Sequence, residues 1–374
     1  MDNNDRELTQ ERPIPKLLSP IRSYEGAVRV IRAGADEIYC GVISEIPSLK
    51  HFVLYRGVWC NLPTYEELGR VVKYAHDHGV KVLLTANLPF MIEAVENEIK
   101  NYIRACLDEG IDALIIGDLG VLSMVKSMSV DIPLYASTYL ATLNQEAVAF
   151  LTKLGFERVI LERQLTIDEI AEIVQKSQVE IEVFIHGLGG CSHIDVSCYL
   201  IHAHFPELNR VRLMIDSSFN PPCKLPFEVY DTDNDQLRSN SVPILDAQRI
   251  CSICDLPMLI RTGVTGLKIE GRGNPAVFQE STTKLYRELL DLLERGQMTA
   301  YWKKVESLKR QFIPMHPYLQ NLHESCCEQK RCYYSPFFHA PYKLPVSWHA
   351  WTKCQFKTLT MVKNDARSLT GVQE

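Results

Sequence analysis

The chain has 374 residues, 46% hydrophobic and 23% charged, with a net charge of −6. That length allows one large domain of roughly 250–300 residues plus an appendage, and the acidic balance gives no strong basic signature for nucleic acid. No run of about 18 apolar residues offers a membrane span, and the polar, acidic start Met1-Asp2-Asn3-Asn4-Asp5-Arg6-Glu7 is wrong for a signal peptide, so a cytoplasmic location is expected, with the twelve cysteines reduced.

Residues 1–15 read as a mobile polar arm. From residue 16 short β-branched runs alternate with helical segments. Lys16-Leu17-Leu18-Ser19 is the first expected strand, and a helix from Tyr24-Glu25 leads to Gly34. Glu37–Gly41 is the second strand. A helix over Tyr65–His78 precedes the third, Val80–Thr85, and another over Glu93–Glu109 precedes the fourth, Ala113–Ile116. Leu134–Ala136, Arg158–Leu161, Glu180–Ile185 and Gly266–Glu270 are strands five to eight. Strands separated by helical patterns argue for βα units and a parallel sheet. Eight such units predict a closed (β/α)8 barrel over residues 16–295, with an open doubly wound sheet as the rival.

In such a barrel chemistry gathers at the carboxyl ends of the strands. Polar residues stand there repeatedly: Asn87, Asp118, Ser137 and Thr138, Arg163, His186-Gly187, and Glu270-Gly271-Arg272. Helix capping or turn formation is the structural alternative for Asp118, Ser137 and Thr138. Four cysteines come from the same rim. Cys191, Cys198 and Cys223 lie in a long excursion after strand seven, and Cys251 lies at its return, giving a cluster-binding insertion over residues 187–251. Their gaps of six, twenty-four and twenty-seven residues are too wide for the short knuckles of zinc fingers. Wide loops of thiolates suit a larger object such as an iron–sulfur cluster. Four buried free thiols are the plainer alternative.

Several stretches resemble the family historically classed as peptidase U32. They are Gly34–Tyr39, Asp118-Leu119-Gly120, Ala136-Ser137-Thr138, Leu154–Val159, Glu182–Gly187, and Lys268-Ile269-Glu270-Gly271-Arg272 with Tyr286-Arg287 behind it. The family pattern carries a Cys-x6-Cys pair, a third cysteine in a polar segment, and a fourth 17 residues before the motif lysine. The resemblance therefore implies a 4Fe-4S cluster on Cys191, Cys198, Cys223 and Cys251, while Cys254 does not align. It implies hydroxylation of an RNA base or a small molecule without molecular oxygen, with prephenate as the oxygen source in some members, and it admits a heteromeric U32-type partner. A peptide is a further candidate substrate. Collagenase-like relatives keep a protease reading in play, yet no Gly-x-Ser-x-Gly elbow or His-Glu-x-x-His helix is present. Departures cluster at the rim: Tyr139 replaces a usual glutamine, Gln164 a frequent glutamate, and one extra residue separates His186 from Cys191.

Within this reading His186, Glu270 and Arg272 are the catalytic candidates, with His186 as a proton shuttle. Arg56, Asn87, Ser137, Thr138, Arg163 and Lys268 are the substrate-binding candidates, the cations to hold carboxylates or phosphates. Arg163 paired with Glu162 or Glu270, and Lys268 balancing a carboxylate inside the barrel, are the structural alternatives. A non-catalytic cluster-bearing subunit is the rival function. Residues 296–374 form a tail or lid rich in aromatics, where Cys326, Cys327, Cys332 and Cys354 offer a second metal site.

Overall fold

A computed structural model describes residues 12–44, 58–87, 93–187, 227–230, 237–242, 251–311 and 332–334. Its centre is a closed parallel barrel with strand order β1-β10-β7-β6-β5-β4-β3-β2. In chain order the first half runs β1 (Lys16–Pro20), α1 (Tyr24–Arg32), β2 (Glu37–Cys40), α2 (Tyr65–His76), β3 (Lys81–Ala86), α3 (Glu96–Asp108), β4 (Ala113–Ile116) and α4 (Leu119–Ser127). The second runs β5 (Leu134–Ala136), α5 (Gln145–Lys153), β6 (Arg158–Ile160), α6 (Ile167–Lys176), β7 (Glu180–His186), a separate antiparallel hairpin of β8 (Phe227–Tyr230) and β9 (Leu237–Val242), α7 (Leu256–Thr262), β10 (Gly266–Ile269), α8 (Ala276–Glu294) and α9 (Met298–Gln311). The expected (β/α)8 barrel is therefore present, and its eight strands coincide with the runs read from sequence. The hairpin inside the insertion has no counterpart in that reading.

Helix starts are written locally. Ser23, Thr64, Asp118, Asn144 and Thr166 each place a side-chain oxygen on a first-turn backbone N–H, satisfying a donor the helix itself cannot. Thr166 and Glu169 complete a reciprocal capping box. Asp118, a candidate rim residue, is used as a cap, since its carboxylate accepts from Val121 N at 2.9 Å.

The lower half of the barrel interior is ionic. Arg158 is fully buried and bonds Glu37 through two nitrogens (2.5 and 3.0 Å) and Glu182 at 2.9 Å, with Glu180 on its Nε at 2.6 Å. Lys268 closes on the other oxygen of Glu182 at 2.9 Å, and Lys16 reaches Glu180 at 3.2 Å and Glu37 at 3.6 Å. Three cations thus face three carboxylates. Burial would pull the Arg158 guanidinium's pKa down, but Glu37 and Glu182 outweigh it and hold it above its ordinary value. Burial likewise opposes ionisation of Glu182, and Lys268 and Arg158 overcome that to hold its carboxyl below the usual range.

Past the expected boundary at residue 295, α9 packs against α8 and Lys304 pairs with Glu288 at 2.9 Å. Buried Tyr301 on α9 donates its hydroxyl to the Ile253 carbonyl. At the other end Arg12, assigned to the arm, donates to the Thr262 carbonyl at 3.3 Å. Among the described residues no helix is long and apolar enough to cross a membrane.

Removing one member of a buried ion network leaves its partners charged and dry, a loss of about 3–5 kcal/mol. Arg158→Leu is expected to lower stability by that order at pH 7 in urea denaturation. Sign follows from the carboxylates: Glu180 and Glu182 are held low, so their contribution is present above the ordinary carboxylate range and disappears as pH falls through their folded values. The gap between wild type and Arg158→Leu should therefore narrow below about pH 4.

Candidate functional site

Alternate residues of a strand share a face, and Glu180, Glu182 and Phe184 line the inward face of β7; the pairing with β10 then slips by one residue, so that His186 pairs with Ile269 and its ring meets Tyr286 on α8. The first two belong to the ion network. Phe184 forms a floor above it, with the Lys268 ammonium 5.8 Å and the Arg163 guanidinium 3.7 Å from its ring centre. Lys268 also lies 4.4 Å over the Tyr39 ring. Lys268 is thus committed to Glu182 and the barrel interior, and the structural alternative for this residue is the observed one.

Above the floor, Arg163 donates to Glu270 at 3.1 Å, both largely withdrawn from solvent. The motif at the end of β10 turns sharply there. Gly271 has φ +125°, a conformation L side chains avoid, so Glu270 joins Arg163 while Arg272 crosses to the opposite strands. Arg272 Nη1 donates to Thr85 Oγ1 at 2.7 Å and to Asn61 Oδ1 at 3.2 Å. Gly41 permits this approach: a Cβ at that position would collide with Asn61 Oδ1 and stand 2.8 Å from Arg272 Nη1. Among the described residues only Nη1 of Arg272 is hydrogen-bonded, and its Nε and Nη2 donors have no partner there.

His186 sits behind this rim, 2% exposed. Tyr286 donates its single hydroxyl proton to the Ile185 carbonyl at 2.7 Å. His186 Nδ1, 3.3 Å from the same hydroxyl, must therefore carry the hydrogen of that contact. Burial drives the imidazole down to about 3, so the ring is neutral at physiological pH. A buried neutral ring fits orientation of the β7 end better than the proton shuttling expected from sequence. Its backbone forms an antiparallel bridge with Cys251, which in turn forms a parallel bridge with Cys332. Tyr333 N donates to the Cys251 carbonyl at 3.0 Å, and the Tyr334 hydroxyl to the Phe184 carbonyl.

The remaining candidates divide. Ser137 caps the turn after β5, accepting from Tyr139 N at 3.3 Å, and Thr138 is buried inside that turn. Asn87 and Tyr139 flank Gly117 at the rim, where a Cβ would meet Tyr139 Cβ at 3.1 Å and Asn87 Cα at 3.4 Å. Three buried side-chain oxygens after β3, β5 and β6 have no hydrogen-bond partner among the described residues: Asn87 Oδ1, Thr142 Oγ1 and Gln164 Oε1. Arg56, Cys191, Cys198, Cys223, Cys326, Cys327 and Cys354 lie outside the described residues. Among the described residues no group of three or more potential ligands could hold a metal ion. The thiols that are described at the rim, buried Cys251 and half-buried Cys332, are soft donors of the kind an iron–sulfur cluster takes. Sequence reasoning missed Thr85 and Asn61. It marked Tyr286 through its place beside Arg287 in the resemblance, and Tyr333 and Tyr334 as aromatics that pack the tail, which are buried here at 1% and 6% exposure.

Comparison with known proteins places these residues in a family context. The model of peptidase family U32 matches residues 22–318. The 23S rRNA 5-hydroxycytidine C2501 synthase of Escherichia coli is 31% identical over 76% of this chain and 40% of its own length. The tRNA hydroxylation protein P1 of Bacillus subtilis is 27% identical over 77% of this chain and 65% of its own. A collagenase of Porphyromonas gingivalis is 26% identical over 75% of this chain and 66% of its own. The chain thus spans less than two thirds of the first two relatives.

The neutral His186 has a measurable consequence. Its folded pKa lies below the unfolded value of 6.5, so the unfolded chain binds the extra proton and stability falls as pH drops from about 6.5. Asp255, pushed up to about 6 by burial, works in the opposite direction. A difference measurement cancels that contribution. Between pH 6.5 and 4.5 wild type should lose roughly 2–3 kcal/mol relative to His186→Gln in denaturant titrations.

Proposed function

The chain belongs to peptidase family U32, and from that membership we propose that it is a 4Fe-4S-dependent hydroxylase of an RNA base that works without molecular oxygen and takes prephenate as oxygen donor. The observation that carries the reading is the rim itself. It combines a guanidinium anchored through one nitrogen, Arg272, with the oxygens of Asn87, Thr142 and Gln164 that have no hydrogen-bond partner among the described residues. A guanidinium held through one nitrogen keeps donors that suit a carboxylate such as those of prephenate. Carbonyl and hydroxyl oxygens suit the N–H groups on the edge of a base. The names of two relatives, an rRNA hydroxycytidine synthase and a tRNA hydroxylation protein, support RNA as the class of substrate.

Cys251 would hold the cluster from the barrel side, together with Cys191, Cys198 and Cys223. Such a cluster would supply one-electron redox chemistry. The chain's own residues orient the reactants. Arg163 lies over the Phe184 ring with its charge balanced by Glu270 and shapes the rim there, while Arg272 presents its outer edge from the opposite side. The Cys191–His193 pair that proteolysis would use lies outside the described residues, and a cysteine committed to a cluster is a poor nucleophile.

The test is anaerobic purification with iron, sulfide and zinc analysis, combined with mass spectrometry of RNA nucleosides from a strain lacking the chain. The expected outcome is about four irons and four sulfides per chain and loss of a pyrimidine one oxygen heavier than its parent. One zinc without sulfide overturns the cofactor, and an unchanged nucleoside profile overturns RNA as substrate. Arg272→Lys turns a planar fork into a point charge. It should lower the modified nucleoside at least about tenfold, a transition-state loss near 1.4 kcal/mol, with the cluster intact. The rival reading as a non-catalytic subunit predicts no turnover by the reconstituted chain alone and turnover once a second U32 chain is added.

A further inference from the structure

Withdrawing a guanidinium from water is costly, and in this chain carboxylates offset it: Arg29, Arg158, Arg163 and Arg287 pair with Glu280, Glu37, Glu270 and Asp36. Among the described side chains the partly buried exceptions are Arg22 and Arg272. Both stand on one side of the rim. Arg22, in the turn after β1, donates through Nη1 to the Trp59 carbonyl at 3.1 Å. Arg272 donates through Nη1 to Asn61, two residues further along the same loop, and to Thr85. Both are therefore anchored on uncharged oxygens. Chain geometry keeps the two anchored nitrogens within roughly 15 Å of each other. Trp59 is half-buried, and the pyrrole edge of its indole packs on the backbone next to Arg272: a Cβ on Gly273 would lie 3.6 Å from Nε1 and 3.7 Å from Cδ1.

We propose that Arg22 and Arg272, with Trp59 beside them, seat one small ligand that carries two carboxylates. Two like charges on one short loop repel when no counter-ion is present, and a dianion answers both where a monoanion answers one. In each guanidinium the Nε and Nη2 donors have no partner among the described residues, and that edge is the planar fork that takes a carboxylate through two parallel bonds. The indole supplies an apolar wall for the carbon skeleton between the carboxylates. A phosphodiester backbone fits less well. Arg272 is held by Thr85 and Asn61, each 6% exposed, so its position is recessed below the surface along which a polymer would run. The seat rests on the reading of Arg272 as a carboxylate anchor given above and adds Arg22 and Trp59 to it. It requires neither the cluster nor RNA, and binding transfers no electron.

The experiment is isothermal titration calorimetry on the full-length, anaerobically purified protein with three probes: prephenate, phenylpyruvate, which lacks the ring carboxylate, and isophthalate, a plain aromatic dicarboxylate. The variants are Arg22→Gln, Arg22→Lys and Trp59→Leu, with Arg29→Gln on α1 as the control. Wild type should bind prephenate at least about tenfold tighter than phenylpyruvate. Arg22→Gln should weaken prephenate at least about tenfold and leave phenylpyruvate within about twofold, so that the preference for two carboxylates collapses. Arg22→Lys, which keeps the charge, should recover part of that preference. Trp59→Leu should weaken all three probes, and Arg29→Gln should match wild type. Unchanged prephenate affinity in Arg22→Gln overturns the inference. So does equal weakening of prephenate and phenylpyruvate, which would make Arg22 a brace for the Trp59 loop.

Failure of the seat and failure of the oxygen-donor reading are read separately. A wild type that binds isophthalate through Arg22 and does not bind prephenate retains the seat and removes prephenate as donor. A wild type that binds none of the three overturns the seat, whatever the iron content and the nucleoside profile of the deletion strain show. Weaker binding of an RNA stem-loop by Arg22→Gln, with dicarboxylate affinity unchanged, assigns Arg22 to a phosphate and overturns the inference.

Discussion

Charge inside the barrel constrains everything above it. Interiors of parallel barrels are ordinarily layered with branched apolar side chains, but here Lys16, Arg158 and Lys268 oppose Glu37, Glu180 and Glu182. Taking such groups out of water is costly, and a well-packed apolar core of similar volume would be at least as stable. What the network supplies is selectivity among arrangements. Its members come from β1, β2, β6, β7 and β10, and a slip of one residue in any of these strands turns its charges outward. Only one register satisfies all six groups. That register also sets the height of Phe184, His186 and Glu270 on β7 and β10.

Phe184 then separates two electrical environments. Below it Lys268 is neutralised by Glu182, and above it Arg163 lies on the same ring and is neutralised by Glu270. Arg272 is bonded instead to the uncharged oxygens of Thr85 and Asn61, and among the described residues no carboxylate pairs with it. Fixing a guanidinium with neutral acceptors holds its position without cancelling its charge. Among the described residues Arg272 is therefore an unpaired positive charge at the rim, held between the ends of β2 and β3, while the side-chain oxygens of Asn87, Thr142 and Gln164 that lack a partner among the described residues follow β3, β5 and β6.

The strands were legible because each is a short apolar run bounded by turn signals, and the caps because each is a local pattern. Residue roles at the rim were legible only where sequence neighbours settle them. Lys268 and Arg272 belong to one five-residue motif and have the same sign of charge, yet one points into the barrel and the other lies on the rim. The difference comes from the end of β10 at Ile269 and the left-handed turn at Gly271, which carries Arg272 away from the strand. Partners that reach across the barrel, Thr85 and Asn61 for Arg272 or Tyr286 for His186, are set by closure of the sheet. No linear pattern records them. Cys332 was visible as a thiol in a tail, but its proximity to Cys251 is a tertiary fact.

The bridge between His186 and Cys251 also explains how a long insertion can serve a site without blurring it. The excursion leaves at the end of β7 and returns beside its own point of departure. The closure cost of a loop grows only slowly with its length, so an insertion tied at its base can be long without straining the barrel. Cys251 is held against the barrel through its bridge to His186, and its neighbour Ser252 donates its backbone N–H to the Tyr286 hydroxyl at 3.3 Å. If Cys251 is a cluster ligand, as proposed, the barrel fixes its backbone at the end of β7.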